Sequence, residues 1–151
     1  MTQDEYRKII SHAINSEEEA YAFYHAVSEK TGDKSIKDLF EDLAEEEARH
    51  KIILEGFLAL APEKLRFSES KDYKVVDALP TPALTPDLKP IEGIVIAVKK
   101  ELDAMQMYTR LASNSIDEGQ KRIFTELASM ERGHKSRLED IYTNMAFPEV
   151  W

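Results

Sequence analysis

Two short motifs place a glutamate and a histidine three residues apart, at the spacing of one helical turn. Glu47 and His50 form the first motif, and Glu131 and His134 form the second. Each motif interrupts a series of apolar residues that recur every three or four positions, which is the inward face of an amphipathic helix. Isolated charge is strongly disfavoured in an apolar interior. The motifs therefore predict a buried polar site that needs a chemical reason to exist.

Two more glutamates belong to this pattern. Glu17 and Glu101 lie on the inward faces of two other predicted helices. Four carboxylates in one interior would repel each other, and two divalent cations would remove that conflict while accepting two neutral imidazoles. Mixed oxygen and nitrogen ligands suit iron or manganese better than a lone tetrahedral zinc. We predict a two-metal site, with iron as the expected metal and manganese as its alternative, whose ligands are Glu17, Glu47, His50, Glu101, Glu131 and His134.

An internal repeat supports this choice of residues. Residues 10–61 and 94–145 share 15 identities in 52 positions at a constant shift of 84, where composition alone would give about three. The repeat also sets the register, because Glu47 is the one residue of 45–47 that has a carboxylate 84 positions later. At the same shift Glu17 pairs with an identical residue, Glu101, whereas Glu18 pairs with Leu102 and Glu19 with Asp103.

Three neighbouring side chains each have a functional and a purely structural interpretation. Tyr24 and Tyr108 follow Glu17 and Glu101 by seven residues, so they could hydrogen-bond ligand carboxylates, assist electron transfer, or simply pack in the core. Glu46 could orient His134, since metal-bound imidazoles generally need a partner on their other nitrogen. We expect Glu46 instead to be a solvated surface residue.

The elements that must position these residues are four long helices. Five of the six prolines lie between residues 62 and 90, and the flanking sequence is rich in helix formers. A crossover over 62–88 could reach ~90 Å if extended, against ~40 Å for a helix of similar length. Capping-box spacing marks Ser35 and Ser115 as helix starts. We predict an all-α four-helix bundle, a single domain over 1–151, with helices over 3–30, 34–60, 89–114 and 118–145.

Composition excludes several classes of protein. The absence of cysteine excludes thiolate catalysis, cysteine-ligated zinc and iron-sulfur clusters. A net charge of -9 without a basic cluster argues against a nucleic-acid partner. The N-terminal residues contain no apolar signal segment, and the longest apolar runs are too short to span a membrane. We expect a soluble, cytoplasmic protein.

Four stretches carry a resemblance to a known family. Residues 17–24, 43–50, 101–108 and 127–134 resemble the rubrerythrin branch of the ferritin-like superfamily. The resemblance implies a ferritin-like bundle with a non-haem di-iron site that reacts with hydrogen peroxide or dioxygen, in a dimer or larger homo-oligomer. The chain departs from it in lacking a cysteine-ligated rubredoxin domain, so turnover requires an external electron donor. Ala104 occupies the place of the family's additional glutamate, which makes the ligand set closer to that of bacterioferritin.

Three functional hypotheses follow. The leading one is a di-iron oxidoreductase in which either Glu47 and Glu131 or Glu17 and Glu101 bridge the metals, with Tyr24 and Tyr108 assisting from beside them. The competing one is a ferroxidase, iron-storage or iron-delivery protein without catalytic turnover. The third is a metal-free bundle that serves as an oligomerisation module.

Overall fold

Four helices account for nearly all of the residues that the computed structural model describes, which are 3–59, 84–86 and 88–146. Their bounds agree with the predicted ones to within one residue at every end, and the predicted crossover at 62–88 lies almost entirely outside the described residues. The helices are α1 (Gln3–Lys30), α2 (Lys34–Ala59), α3 (Pro90–Asn114) and α4 (Glu118–Ala146).

The helices form two hairpins, α1 with α2 and α3 with α4. Contacts between the hairpins fix their relative direction. Tyr24 on α1 contacts Glu101 on α3, and Glu17 contacts Tyr108, so α1 and α3 are antiparallel. Because α1 is also antiparallel to α2, α2 and α3 run in the same direction. The end of α2 and the start of α3 therefore lie at opposite ends of the bundle, as the predicted crossover requires.

The N-terminal caps of α2 and α4 differ from the predicted ones. Asp33 Oδ1 accepts hydrogen bonds from the backbone N–H groups of Ser35 and Ile36, and Asp117 Oδ2 accepts one from Gln120. The prediction of Ser35 and Ser115 as caps was wrong, because the residue that precedes each helix is an aspartate, a strong capping residue. The two aspartates are 84 residues apart, so the caps follow the repeat.

The bundle core consists of two apolar layers, one toward each end of the described helices. The first layer includes Phe57 and Phe124, whose rings stack with centroids 4.9 Å apart. The second includes Phe23 and Phe40. Each layer also contains one of the two predicted tyrosines. Within the described residues, no helix combines the length and apolar character that crossing a bilayer would need.

Candidate metal centre

All six predicted ligands meet in one buried cluster between the two apolar layers. None is more than 4% exposed. Each helix contributes one acidic residue, and α2 and α4 add one histidine each, one helical turn after their glutamate. The contributions are Glu17 from α1, Glu47 and His50 from α2, Glu101 from α3, and Glu131 and His134 from α4.

The histidines face the carboxylates of the opposite hairpin. His50 Nδ1 lies 2.8 Å from Glu131 Oε1, and His134 Nδ1 lies 2.7 Å from Glu47 Oε1. The two rings are nearly parallel, with centroids 5.8 Å apart. The Nδ1 atom of each imidazole is therefore the one directed into the cluster, and Nε2 is directed away from it.

The six side chains divide into two overlapping groups that could each hold a metal ion. In each group the potential ligand atoms lie within 4.8 Å of one another. One group contains Glu17 and His50, the other contains Glu101 and His134, and Glu47 and Glu131 belong to both. Of the two carboxylate pairs that the sequence left open as bridging ligands, Glu47 and Glu131 are the pair that belongs to both groups and could be shared by two metal ions.

Two buried oxygens give an independent test of whether a cation fits. Glu17 Oε2 and Glu101 Oε2 have no hydrogen-bond partner among the described residues. Leaving a buried acceptor unpaired costs about 1–3 kcal/mol, and more for a charged group. Each oxygen belongs to a different one of the two ligand groups. One cation per group would satisfy both atoms, so the donor set fits two metal ions.

The electrostatics of the cluster agree with this interpretation. Burial, followed by the charges of Glu101 and Glu17, raises the pKa of Glu131 well above its usual value. Burial also opposes ionisation of Glu101, but hydrogen bonds from Glu131 and His134 outweigh it and lower the pKa of that carboxyl. Glu131 therefore keeps its proton to a higher pH than an exposed glutamate does. Protons or cations must offset the repulsion of carboxylates in this space.

The two tyrosines donate hydrogen bonds to the carboxylates of the opposite helix. Tyr24 Oη lies 2.5 Å from Glu101 Oε1, and Tyr108 Oη lies 2.7 Å from Glu17 Oε1. Burial and the nearby carboxylates raise the pKa of both hydroxyls well above 10.0, so both keep their protons and remain donors. Both rings are also fully buried in the apolar layers. Hydrogen bonding and core packing, which the sequence presented as alternatives, therefore occur together.

Glu46 is not the solvated surface residue that we expected. Its side chain is 19% exposed, and its Oε2 atom contacts His134 Nε2. The same oxygen accepts a hydrogen bond from Arg137 Nη2 at 3.2 Å. Burial disfavours the charge of Glu46, but His134 and Arg137 outweigh that effect and lower its pKa. The need of a metal-bound imidazole for a second partner was the sequence signal for this contact.

A solvent-facing cavity of about 330 Å³ reaches the cluster between α1 and α2. Glu17 and Glu47 form part of its lining, together with Tyr21 and Ile52. Lys51 and Glu18, whose charged atoms are 3.0 Å apart, form an ion pair beside it. No pattern in the sequence selects Tyr21 or Ile52, because a cavity depends on how two helices pack against each other. A small molecule can approach two of the predicted ligands here.

Comparisons with known proteins agree with the fold. A family model described as rubrerythrin matches residues 8–142. A hypothetical protein from Pyrococcus furiosus has a similar structure, with a TM-score of 0.76, 27% identity, and coverage of 97% of this chain and 93% of that one. A protein from Thermotoga maritima described as a putative ferritin-like diiron-carboxylate protein has a TM-score of 0.69 at 22% identity, covering 93% and 95%.

A third similar structure belongs to a longer chain. It is a two-domain protein from Anabaena variabilis with DJ-1/ThiJ/PfpI-like and ferritin-like domains, with a TM-score of 0.58 and 20% identity. The match covers 96% of this chain and 41% of that one. A search of curated proteins found no match. The two structures under 25% identity support the ferritin-like bundle fold.

Proposed function

Because this chain belongs to the rubrerythrin family, we propose that it binds two iron ions and uses them to reduce hydrogen peroxide or dioxygen with electrons from an external donor. The observation that carries the proposal is the pair of overlapping ligand groups that share Glu47 and Glu131. Manganese is the alternative metal, since the same oxygen and nitrogen donors suit both.

The proposed ligand assignment follows the two groups. Glu17 and His50 would complete one metal position, Glu101 and His134 would complete the other, and Glu47 and Glu131 would bridge them. Iron bound here would supply the redox chemistry: hydrogen peroxide takes two electrons and two protons and yields two water molecules. The absence of cysteine excludes a sulfur-ligated electron-transfer centre within these residues, so the proposal includes a separate reductant.

The protein's own residues would organise this chemistry. The hydroxyls of Tyr24 and Tyr108 hold the Glu101 and Glu17 carboxylates in place. The apolar layers exclude water from both ends of the cluster, which strengthens the charge interactions within it. The cavity beside Tyr21 and Ile52 is wide enough for an oxidant as small as peroxide or dioxygen.

One observation favours a second candidate, a ferroxidase or iron-storage protein without turnover. Ala104 lies one turn after Glu101 and packs against the first apolar layer, where rubrerythrins would place their additional glutamate. The remaining set of four glutamates and two histidines is then the bacterioferritin-like one. Both candidates require the same metal positions, and they differ in whether the oxidised metal is reduced again.

Stopped-flow absorption of the anaerobically iron-loaded protein tests the proposal. We expect successive additions of peroxide to be consumed in the presence of an electron donor, with the ferric absorption appearing and decaying at each addition. Glu47→Ala should abolish this reaction. Glu45→Ala, which removes an exposed carboxylate two residues away, is the matched control and should retain it.

Two outcomes would count against an oxidoreductase. A loaded protein that accumulates ferric mineral and is not reduced again would support storage. A loaded protein that consumes neither peroxide nor dioxygen would contradict both redox functions.

A further inference from the structure

The 84-residue repeat makes the two halves of the cluster similar, but they differ in what contacts the outer nitrogen, Nε2, of each histidine. Inside the cluster the two short His–Glu contacts are counterparts at the 84-residue shift, and so are the two Tyr–Glu hydrogen bonds. Outside it, His134 Nε2 contacts Glu46, whereas His50 Nε2 lies 3.4 Å from Met130 Sδ. Glu46 and Met130 occupy equivalent positions of the repeat. The two histidines therefore have chemically different partners.

The difference extends one residue further. Arg137 Nη2 hydrogen-bonds Glu46 Oε2 at 3.2 Å and so fixes the carboxylate beside His134. The repeat-equivalent position of Arg137 is Ile53. On one side of the centre a buried imidazole is supported by an ion pair, while the corresponding positions on the other side hold Met130 and Ile53, which are 37% and 40% exposed.

The two kinds of partner act differently on a metal ligand. A carboxylate that accepts the outer N–H of an imidazole fixes the tautomer and the ring orientation, and it increases the electron donation of the inner nitrogen. A charge-assisted hydrogen bond of this kind is roughly twice as strong as a neutral one. A thioether sulfur is a weak acceptor. Loss of such outer partners typically lowers metal affinity 10–100-fold.

We propose that the two metal positions are inequivalent, and that Glu46 is the positioning residue that makes the position of His134 the tighter one. This inference rests on the proposed dinuclear site. Met130 leaves the position of His50 weaker, so that its metal is the more easily lost or exchanged. A chain that fills one position first would hold one metal firmly and a second one loosely.

Variants that keep only one of the two metal positions test the inference, because a single bound ion has no neighbouring ion to repel it. His50→Ala leaves the position of His134, and His134→Ala leaves that of His50. We expect anaerobic titration with Co(II), followed by visible absorption, to give one bound ion in each variant. The His50→Ala protein should bind it about 10–100-fold more tightly.

Substitutions of Glu46 then test whether this residue causes the difference in affinity between the two positions. Glu46→Met should weaken binding by about 10–100-fold in the His50→Ala background and leave it unchanged in the His134→Ala background. Glu46→Gln keeps an acceptor oxygen and should restore part of the loss. Met130→Glu should strengthen binding in the His134→Ala background, a gain that misfolding could not produce.

The results that overturn the inference are distinct from those that overturn the proposed function. Equal affinities in the two single-position variants, or equal weakening of both by Glu46→Met, would overturn the inference while leaving two metal positions. A wild-type protein that binds no Co(II) would overturn the dinuclear site together with the inference.

Discussion

At the scale of single residues, the proton on Glu131 should make metal binding depend on pH. Burial and the charges of Glu101 and Glu17 raise its pKa, so the metal-free protein keeps this proton at pH values where an exposed glutamate is ionised. A divalent ion must displace it. Apparent metal affinity should therefore rise with pH through the raised pKa of Glu131 and fall as the solution becomes more acidic.

Calorimetric titration with Co(II) in buffers of different ionisation enthalpy measures this proton release directly. We expect at least one proton to be released for each chain that binds its full complement of Co(II). Binding with no proton release, and with an affinity that stays constant from mildly acidic to neutral pH, would contradict the prediction.

The two buried tyrosines provide a second prediction at this scale. Tyr24→Phe removes the hydroxyl that donates to Glu101 Oε1, and Tyr108→Phe does the same for Glu17. Each change leaves a buried carboxylate oxygen without its donor and should lower the free energy of unfolding by about 1–3 kcal/mol. Denaturant unfolding of the metal-free protein measures the loss.

Tyr21→Phe is the matched control for these variants. Tyr21 is on the same helix as Tyr24 but is 41% exposed, so its substitution should change the unfolding free energy by less than about 0.5 kcal/mol. Equal effects of Tyr21→Phe and Tyr24→Phe would show that the buried hydroxyls do not support the carboxylates.

At the scale of helices, a close contact between α1 and α3 depends on one glycine. A Cβ atom added at Gly93 would lie 2.0 Å from Cε1 of Phe23, a fully buried ring. Gly93→Ala must displace this ring in a packed layer and should destabilise the protein by about 1–3 kcal/mol, as measured by thermal or denaturant unfolding.

A second helical glycine gives the opposite expectation. A Cβ at Gly56 would meet no atom within 4 Å in the part of the chain that the structure describes, so Gly56→Ala should stabilise α2 by up to about 1 kcal/mol. If Gly93→Ala were as stabilising as Gly56→Ala, the packing of Phe23 against α3 would be wrong.

The sequence predicted the helices well because their signal is local and repeated. Apolar residues at three- and four-residue spacing persist over each whole helix, so the bounds were accurate to about one residue. The N-terminal caps were harder to predict, since several polar side chains near each helix start could cap it. Asp33 and Asp117 form the caps instead of the predicted serines.

The six cluster residues could be predicted because the repeat selected them from among many acidic residues. Which carboxylate pair the two groups share could not be predicted, because it depends on the relative rotation of four helices. Glu46 was misassigned for the same reason: its contact with His134 joins α2 to α4 across 88 positions of sequence, and Met130 in the equivalent position removed the support of the repeat.

At the scale of the whole molecule, metal binding should stabilise the fold. The folded bundle gathers ligands from four helices, and the unfolded chain disperses them, so a metal binds the folded state selectively. At a free metal concentration one hundred times the dissociation constant, one site adds about 2.7 kcal/mol, or roughly 5–10 °C in unfolding temperature for a chain of this size. Two divalent ions would also change the formal charge from -9 to about -5.

Differential scanning calorimetry with and without Co(II) measures this stabilisation. We expect the increase in unfolding temperature to disappear on chelation and in the Glu47→Ala/Glu131→Ala double variant. The Glu45→Ala control should keep it. An increase that is the same in the double variant would mean that the metal binds elsewhere.

The most direct measurement is the anomalous diffraction, at the iron absorption edge, of crystals of the protein loaded with iron without oxygen. We expect two anomalous peaks in each chain, one beside Glu17 and His50 and one beside Glu101 and His134, with the Glu47 and Glu131 carboxylates between them. A single peak, no peak, or peaks outside this cluster would contradict the dinuclear site.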